Sequence, residues 1–560
     1  MSASAAASPV AGFAPRAERL AALERSHFDV LVVGGGITGA AAARDAASRG
    51  LSVALVEKED WAAGTSSRSS KLVHGGLRYL ASGDLGLVFE SLSERARLLR
   101  NAPHLVSPLE FLFAILRGRW VSPAALSAGL TLYDFLALRR GRRHRRLSAS
   151  GLVGQEPLLS GADLAGGALY ADASTDDARL TLENVLDAGD LGAIAVSRLT
   201  LESRVRAPSG AAVGAALRDV ETGRVLEVRA RVTIDATGPW SDRLRAQEDP
   251  SAAPRLRLSK GVHITVPAAA LPVRRAVAIP VERGRLLFAI PSGPVTLIGT
   301  TDTDYGGPAD GVAPDAEDVA YLLSRAQEVF PHSAPRAGDV VAAFAGLRPL
   351  RFEPGREVSR TSREEAIETT PGAVSVTGGK LTTHRRMGER AVDAAAALLR
   401  EAGIRAGRSR TVDRPFPGAP AEPLPVFTER FLDEALRVGV TPATARHLAH
   451  RYGRRARAVV ALAAAEPSLW MPIVPGLPDP EAEILFAARV EDARAASDVL
   501  IRRTHLFWQT PGQAVSALPR VCELLGKELA WTPQAKERSR EEYMREVERS
   551  ASAVAPLLED

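Results

Sequence analysis

Residues 28–57 constrain this chain more than any other stretch. An apolar run at 28–33 reads as a buried strand, and an alanine-rich stretch at 37–49 has helical spacing. Gly50 stops that helix, and 52–57 reads as a second strand, so the unit is strand–helix–strand. The turn Gly34-Gly35-Gly36-Ile37-Thr38-Gly39 fits G-x-G-x-x-G. Gly34 allows a tight turn, Gly36 lets backbone approach a pyrophosphate, and Gly39 lets helix pack closely on strand. The helix N-terminus offers unpaired N–H groups and a positive dipole to phosphates. Glu57 ends the second strand, 18 residues after Gly39, where a carboxylate can hold ribose hydroxyls. Together these features point to a bound dinucleotide.

The rest of the chain narrows the class. A length of 560 residues predicts two to four domains. With 46% hydrophobic and 24% charged residues, a mainly disordered, collagen-like or multi-span membrane chain is excluded. Cys522 is the single cysteine, which excludes a disulfide framework and a cysteine-based zinc or iron–sulfur site; no metal is expected. A net charge of +5 makes no case for nucleic-acid binding. Residues 1–26 are rich in Ala and Ser, contain Pro9 and Pro15, and read as a disordered tail without a secretory signal. No apolar stretch approaches the roughly 18 residues needed to span a bilayer, so membrane contact is expected to be peripheral.

Strand-like pieces recur at 226–235, 261–266, 285–290 and 295–299. Residues 27–413 are therefore expected to form a cofactor domain with an interleaved substrate domain. The proline-rich 414–425 (RPFPGAPAEPLP) reads as a linker. Helical periodicity dominates 426–560, with expected helices at 441–451, 454–465 and 481–502. The glycine turn alone does not choose between NAD and FAD. The apolar run with a small-residue turn at 232–238 (VTIDATG), and cofactor-like segments scattered over the chain, suit a long flavin dinucleotide.

Several segments carry candidate chemistry. Residues 65–80 (TSSRSSKLVHGGLRYL) combine loop hydroxyls and glycines with Lys71, His74, Arg78 and Tyr79. Arg348, ahead of a proline in AGLRPL, is expected on a stiff turn, and Arg360 follows in SRTSRE. Residues 376–384 (VTGGKLTTH) read as a strand, two glycines, Lys380 and a helix whose positive end suits the charge of a reduced flavin ring. These cations with His263 (in KGVHITV) imply a pocket for a small anion, a phosphate ester. The basic run at 136–146 (LALRRGRRHRR) suits anionic lipid or an acidic partner.

These segments resemble the FAD-dependent glycerol-3-phosphate dehydrogenases of aerobic bacteria, which are similar to the mitochondrial enzyme. VVGGGITGAAAARDAASRG, GTSSRSSKLVHGGLRYL, DDARLTLENVLDA, IDATGPW, SKGVHITV, LIGTTDTDY, AGLRPL, VTGGKLTTHR and VEDARAASDVLIRRT carry the likeness, in family order from about 27 to about 507. The resemblance implies an α/β fold: an FAD-binding Rossmann-like domain of the glutathione-reductase and D-amino-acid-oxidase type, an antiparallel-sheet substrate domain, and an all-α C-terminal domain. It implies oxidation of sn-glycerol 3-phosphate to dihydroxyacetone phosphate, with hydride passing to FAD and electrons to a membrane quinone. It further implies a cytoplasmic protein held peripherally at the inner face of the plasma membrane, with a homodimer possible. Cofactor positions carried over are Gly34, Gly36, Gly39, Glu57, Thr65, Ser66, Ser69, Lys71, His74, Gly75, Val205, Gly238, Gly378, Gly379, Leu381 and Thr382. Substrate positions are Arg78, Tyr79, His263, Thr301, Arg348, Arg360 and Lys380. His263 is the first choice of general base, because imidazole titrates near neutrality, and Lys380 the second. The arginines, Arg348 foremost, would clamp the phosphate. Three alternatives stand beside this reading: an oxidase passing electrons to O2 and making peroxide, a related flavin amine oxidase, and a flavin-bound scaffold or sensor without turnover.

Overall fold

In the computed structural model, the described residues are 12–77, 80, 83–137, 143–282, 285–352 and 365–559. The initial alternation is realised as the parallel strands His27–Val33 and Val53–Val56 joined by the helix Ile37–Ser48. They lie in an eight-stranded sheet whose centre also holds the parallel strands Val225–Asp235 and Ala373–Thr377. Alternation sets the two faces. Val30 and Val32 pack under the helices Ile37–Ser48, Asp177–Asp190 and His384–Glu401. Leu31 and Val33 pack under the pair Leu199–Arg206 and Ala212–Asp219. That second face is also covered by a helix, Arg16–Arg25, which buries Arg19 and Leu23. Those ten residues were expected to belong to a disordered tail. The Arg19 guanidinium instead bonds Asp492 and the Ala195 carbonyl, holding the segment down.

The second sheet has ten strands and is antiparallel except where Ala276–Glu282 runs parallel to Val106–Leu116. One face packs on the helix Ala316–Val329. The other packs on the helical C-terminal part, where Phe344 meets Trp508. The layered α/β and all-α architecture expected from the sequence is therefore present.

Two local expectations fail. The stretch 481–502 is not one helix: Ala482–Val490 ends where Asp492 adopts φ +58°, and the chain resumes as the π-helical turn Asp498–Arg503. The break lets Asp492 reach Arg19 and Asp498 reach Arg198. The proline-rich 414–425 is packed rather than free. Phe416 and Ala419 are buried, Arg414 pairs with Asp187, and Gly418 N–H donates to Glu183.

His104 lies under this segment, and a Cβ on Gly418 would overlap its ring. Burial, reinforced by the Arg179 and Arg455 cations, pushes its pKa down to about 3. An unfolded histidine titrates near ~6.5, so the unfolded chain binds this proton first on acidification. The stability His104 contributes is present above about pH 6.5 and is lost as pH falls towards 3. His104→Gln is expected to lose about 2 kcal/mol less stability than the parent between pH 7 and 5. Urea unfolding at both pH values checks this, and equal losses would refute it.

Candidate active site

The glycine turn works as its spacing requires. Gly34 sits at φ +111°, and a Cβ there would lie 2.6 Å from the Ala236 carbonyl oxygen. A Cβ on Gly39 would overlap the Gly34 carbonyl oxygen, so only glycine lets helix and turn approach this closely. The helix Ile37–Ser48 then points its N-terminus into a cavity of about 430 Å³. Glu57 lines the same cavity, accepting N–H bonds from Gly35 (2.6 Å) and Glu59 (2.9 Å). Burial nevertheless pushes its pKa up to about 6, against the pull of those two N–H groups.

Along the cavity lie Gly36, Thr65, Ser66, Gly238, Gly378, Gly379, Lys380 and Leu381, all expected from the sequence. The last four form the turn before the helix His384–Glu401, so a second helix N-terminus faces the far end. Ser66 Oγ accepts the Ile37 N–H, and Thr65 Oγ1 donates to the Leu347 carbonyl. These bonds tie the 65–67 turn to both sheets.

Other expected cofactor residues lie beneath the cavity rather than along it. Ser69 Oγ donates to Asp177 (2.7 Å), and Lys71 Nζ pairs with the same carboxylate (2.5 Å). His74 N–H donates to Thr382 Oγ1, and Gly75 N–H donates to Tyr133. These four residues and Thr382 fasten the loops together. Val205 lies within the strand Leu199–Arg206, beyond the cavity. Leu199, Thr200 and Leu201 line it instead, because Leu199 N–H is bonded to the Glu57 carbonyl. Sequence reasoning also missed Lys58, Trp240, Arg243 and Asp310 on the lining. Trp240 stands in the matched IDATGPW, which was a usable signal; Asp310 had none.

Three of the substrate candidates, His263, Thr301 and Arg348, come together on the second sheet. Arg348 is not on a turn: it sits in the strand Ala342–Arg351, opposite Ser259, with Pro349 paired to Leu258. Pairing on this strand takes the proline without breaking it. Arg348 bonds Thr300 Oγ1 (2.8 Å) and the Thr301 carbonyl (3.1 Å), and pairs with Asp302 (3.2 Å). Thr301 is buried, its hydroxyl accepting the Val262 N–H, so it shapes the loop that seats Arg348. His263 is buried and stacked on Phe344 at 5.1 Å. Its Nε2 is 2.8 Å from Ser70 Oγ, while Nδ1 has no hydrogen-bond partner among the described residues. Burial first, then Arg348 and Lys71, lower its pKa to about 3. Arg78, Tyr79 and Arg360 lie outside the described residues.

The comparisons agree with this geometry. Residues 29–409 match the family model for FAD dependent oxidoreductases, and 409–536 match the C-terminal domain of alpha-glycerophosphate oxidase. The donor set fits FAD: a glycine cradle, a helix N-terminus and a carboxylate at one end, and a second helix N-terminus at the other. The class is thus an FAD-dependent oxidoreductase. The chain is 36% identical to glycerol-3-phosphate dehydrogenase 2 of Mycobacterium bovis, over 96% of this chain and 92% of that one. It is 34% identical to the aerobic glycerol-3-phosphate dehydrogenase of Bacillus subtilis, over 97% and 98%. The glycerol-3-phosphate dehydrogenase of Bacillus halodurans, solved with FAD, superposes with a TM-score of 0.81 at 31% identity, over 96% and 98%. The chain belongs to the FAD-dependent glycerol-3-phosphate dehydrogenase family.

A carboxylate that holds ribose hydroxyls should do so best when ionised. FAD affinity of the apoprotein is therefore expected to fall as pH drops below about 6, the value to which Glu57 is raised. Glu57→Gln is expected to bind FAD about tenfold more weakly at pH 8 and without that pH dependence. Fluorescence titration with FAD measures both, and an unchanged pH profile in the variant would remove Glu57 from the ribose.

Proposed function

We propose that this chain oxidises sn-glycerol 3-phosphate to dihydroxyacetone phosphate and delivers the electrons to a membrane quinone. One observation carries the substrate reading. A buried imidazole with an unpartnered nitrogen stands on the strand Leu256–Pro267, and a guanidinium stands on the strand paired with it, within electrostatic reach. Bound FAD supplies the two-electron acceptor for the C2 hydrogen. The residues do the rest.

Arg348 binds the phosphate, held in place by Thr300, Thr301 and Asp302. Lys380, on the lining turn, adds a second cation beside the acceptor end of the cavity. Arg78, Tyr79 and Arg360 are assigned to the same pocket from the family pattern alone. His263 is neutral at working pH and accepts the C2 hydroxyl proton at Nδ1, while Ser70 fixes the ring through Nε2. A pKa near 3 makes a weak base, but that value reflects Arg348 and Lys71 as well as burial. A phosphate dianion beside Arg348 offsets those cations and raises the imidazole towards neutrality. Substrate binding thus readies its own base. Lys380 remains the second candidate for that role.

The acceptor reading rests on a surface. The helix Pro123–Leu136 turns Ala124, Ala125, Ala128, Leu132 and Phe135 outward at helical spacing, with Phe135 74% exposed. Trp120 lies exposed just ahead of it, and Phe89 is exposed on the neighbouring helix Leu85–Asn101. Arg143, Arg145 and Arg146 are exposed immediately after; residues 138–142 of the basic run lie outside the described residues. An apolar face rimmed by arginines suits an anionic bilayer surface at the inner face of the plasma membrane. No described helix is long and apolar enough to cross a membrane.

Flavin reduction, steady-state kinetics and vesicle binding test these assignments. Adding glycerol 3-phosphate without air should bleach the bound flavin, and Arg348→Ala should raise KM at least about tenfold with FAD retained. An unchanged KM would remove Arg348 from the clamp, and peroxide formed without added quinone would favour the oxidase alternative. The protein should also bind phosphatidylglycerol vesicles and be released by high salt, with Phe135→Glu binding severalfold less. Equal binding by that variant would clear the helix of a docking role.

A further inference from the structure

One carboxylate on the cavity lining joins the two layers of the molecule. Asp310 lies in the short turn Ala309–Gly311, in the connection between the second-sheet strand Thr303–Asp304 and the helix Ala316–Val329. Its partners all come from the first sheet. Lys58 follows the strand Val53–Val56, and its Nζ is 2.5 Å from Asp310 Oδ1. Trp240 follows the strand Val225–Asp235, and its indole N–H donates to the same oxygen at 2.7 Å. Arg243, on the helix Ser241–Glu248, pairs with Oδ2 at 2.7 Å. Lys58 Nζ also stands 4.0 Å over the Trp240 ring. All four residues line the FAD cavity, and Lys58 directly follows Glu57 in the chain. One side chain thus joins both layers of the molecule on the cavity lining, and its 46% exposure puts it at the solvent edge.

We propose that Asp310 is a retention residue for FAD: its bonds to Lys58, Trp240 and Arg243 must break before the cofactor can leave. Asp310 touches neither the candidate base nor the phosphate clamp, so its effect is on cofactor exchange rather than on the chemical step. The bonds are partly exposed, with Asp310 at 46%, so each is individually weak and screened by salt. A carboxylate shared by two cations and an indole N–H opens only when all three let go, which makes it a latch rather than a surface ion pair.

The test measures release of FAD from the holoenzyme. Free-FAD fluorescence is followed after dilution to nanomolar concentration, at low salt and at about 1 M KCl, where the screening length falls to about 3 Å. Flavin absorbance before dilution confirms full loading, so a loading failure is read separately from a failure of the latch. At low salt, Asp310→Ala is expected to release FAD about tenfold faster than the parent. Asp310→Asn, which keeps an acceptor for the indole N–H but loses the charge, is expected to lie between them. Salt should speed release from the parent and leave Asp310→Ala nearly unchanged. Release rates within twofold of one another, or an equal salt response in parent and Asp310→Ala, would overturn the proposal.

Discussion

The cofactor site depends on a carboxylate that never meets the cofactor. Asp60 is fully buried and is held by Arg502 (2.5 Å) and Arg503 (2.8 Å) from the π-helical turn of the C-terminal part. Glu491 joins the same network by binding Arg179, whose guanidinium also lies over the Tyr452 ring. Asp60 precedes Trp61, whose ring fills the place a Gly35 side chain would need. The glycine turn is therefore braced through Asp60 and Trp61 by residues more than 400 positions later. Removing one partner from such a buried pair costs about 3–5 kcal/mol, whereas the intact network is near neutral against an apolar core. Its value lies in specificity: only one docking of the helices satisfies every charge.

This explains what the sequence disclosed and what it hid. The strand–helix–strand unit was legible because its chemistry is local: Gly34, Gly39 and Glu57 act within 24 residues. The turn at Gly378–Leu381 was legible for the same reason. Ser69, Lys71 and His74 are cofactor positions by family resemblance alone, since a polar loop carries donors whether or not they meet a ligand. Which donors face the cavity is decided by Asp177 and Thr382, far away in the chain. The helix Arg16–Arg25 was hidden because its polar sequence finds Asp492 only after the 481–502 periodicity breaks. That break is itself tertiary, made by residues whose carboxylates are claimed by Arg19 and Arg198.

Arg348 shows a different error, one of local structure: a strand where a turn was expected. A proline neighbour suggested a turn, but proline is tolerated in strands where its missing N–H is not needed by the ladder. Placing Arg348 on a strand matters for function. Strand pairing fixes it opposite Ser259 and four residues from Phe344, the ring on which His263 stacks. The guanidinium and the imidazole are thus set on adjoining strands of one sheet, a stiffer mounting than a loop could give.

That mounting carries an electrostatic consequence. His263 must be neutral to accept a proton, and burial beside Arg348 and Lys71 guarantees neutrality. The same surroundings leave it too weak a base to act on an alcohol unaided. In the proposed mechanism, a ligand that brings negative charge to Arg348 offsets the cationic part of that depression and not the larger part due to burial. In the same proposal a neutral polyol leaves those cations uncompensated, whereas a phosphorylated one changes the field at the moment of binding. With Arg348 and His263 in the proposed roles, discrimination in favour of the phosphate ester falls on the rate of the chemical step as well as on affinity.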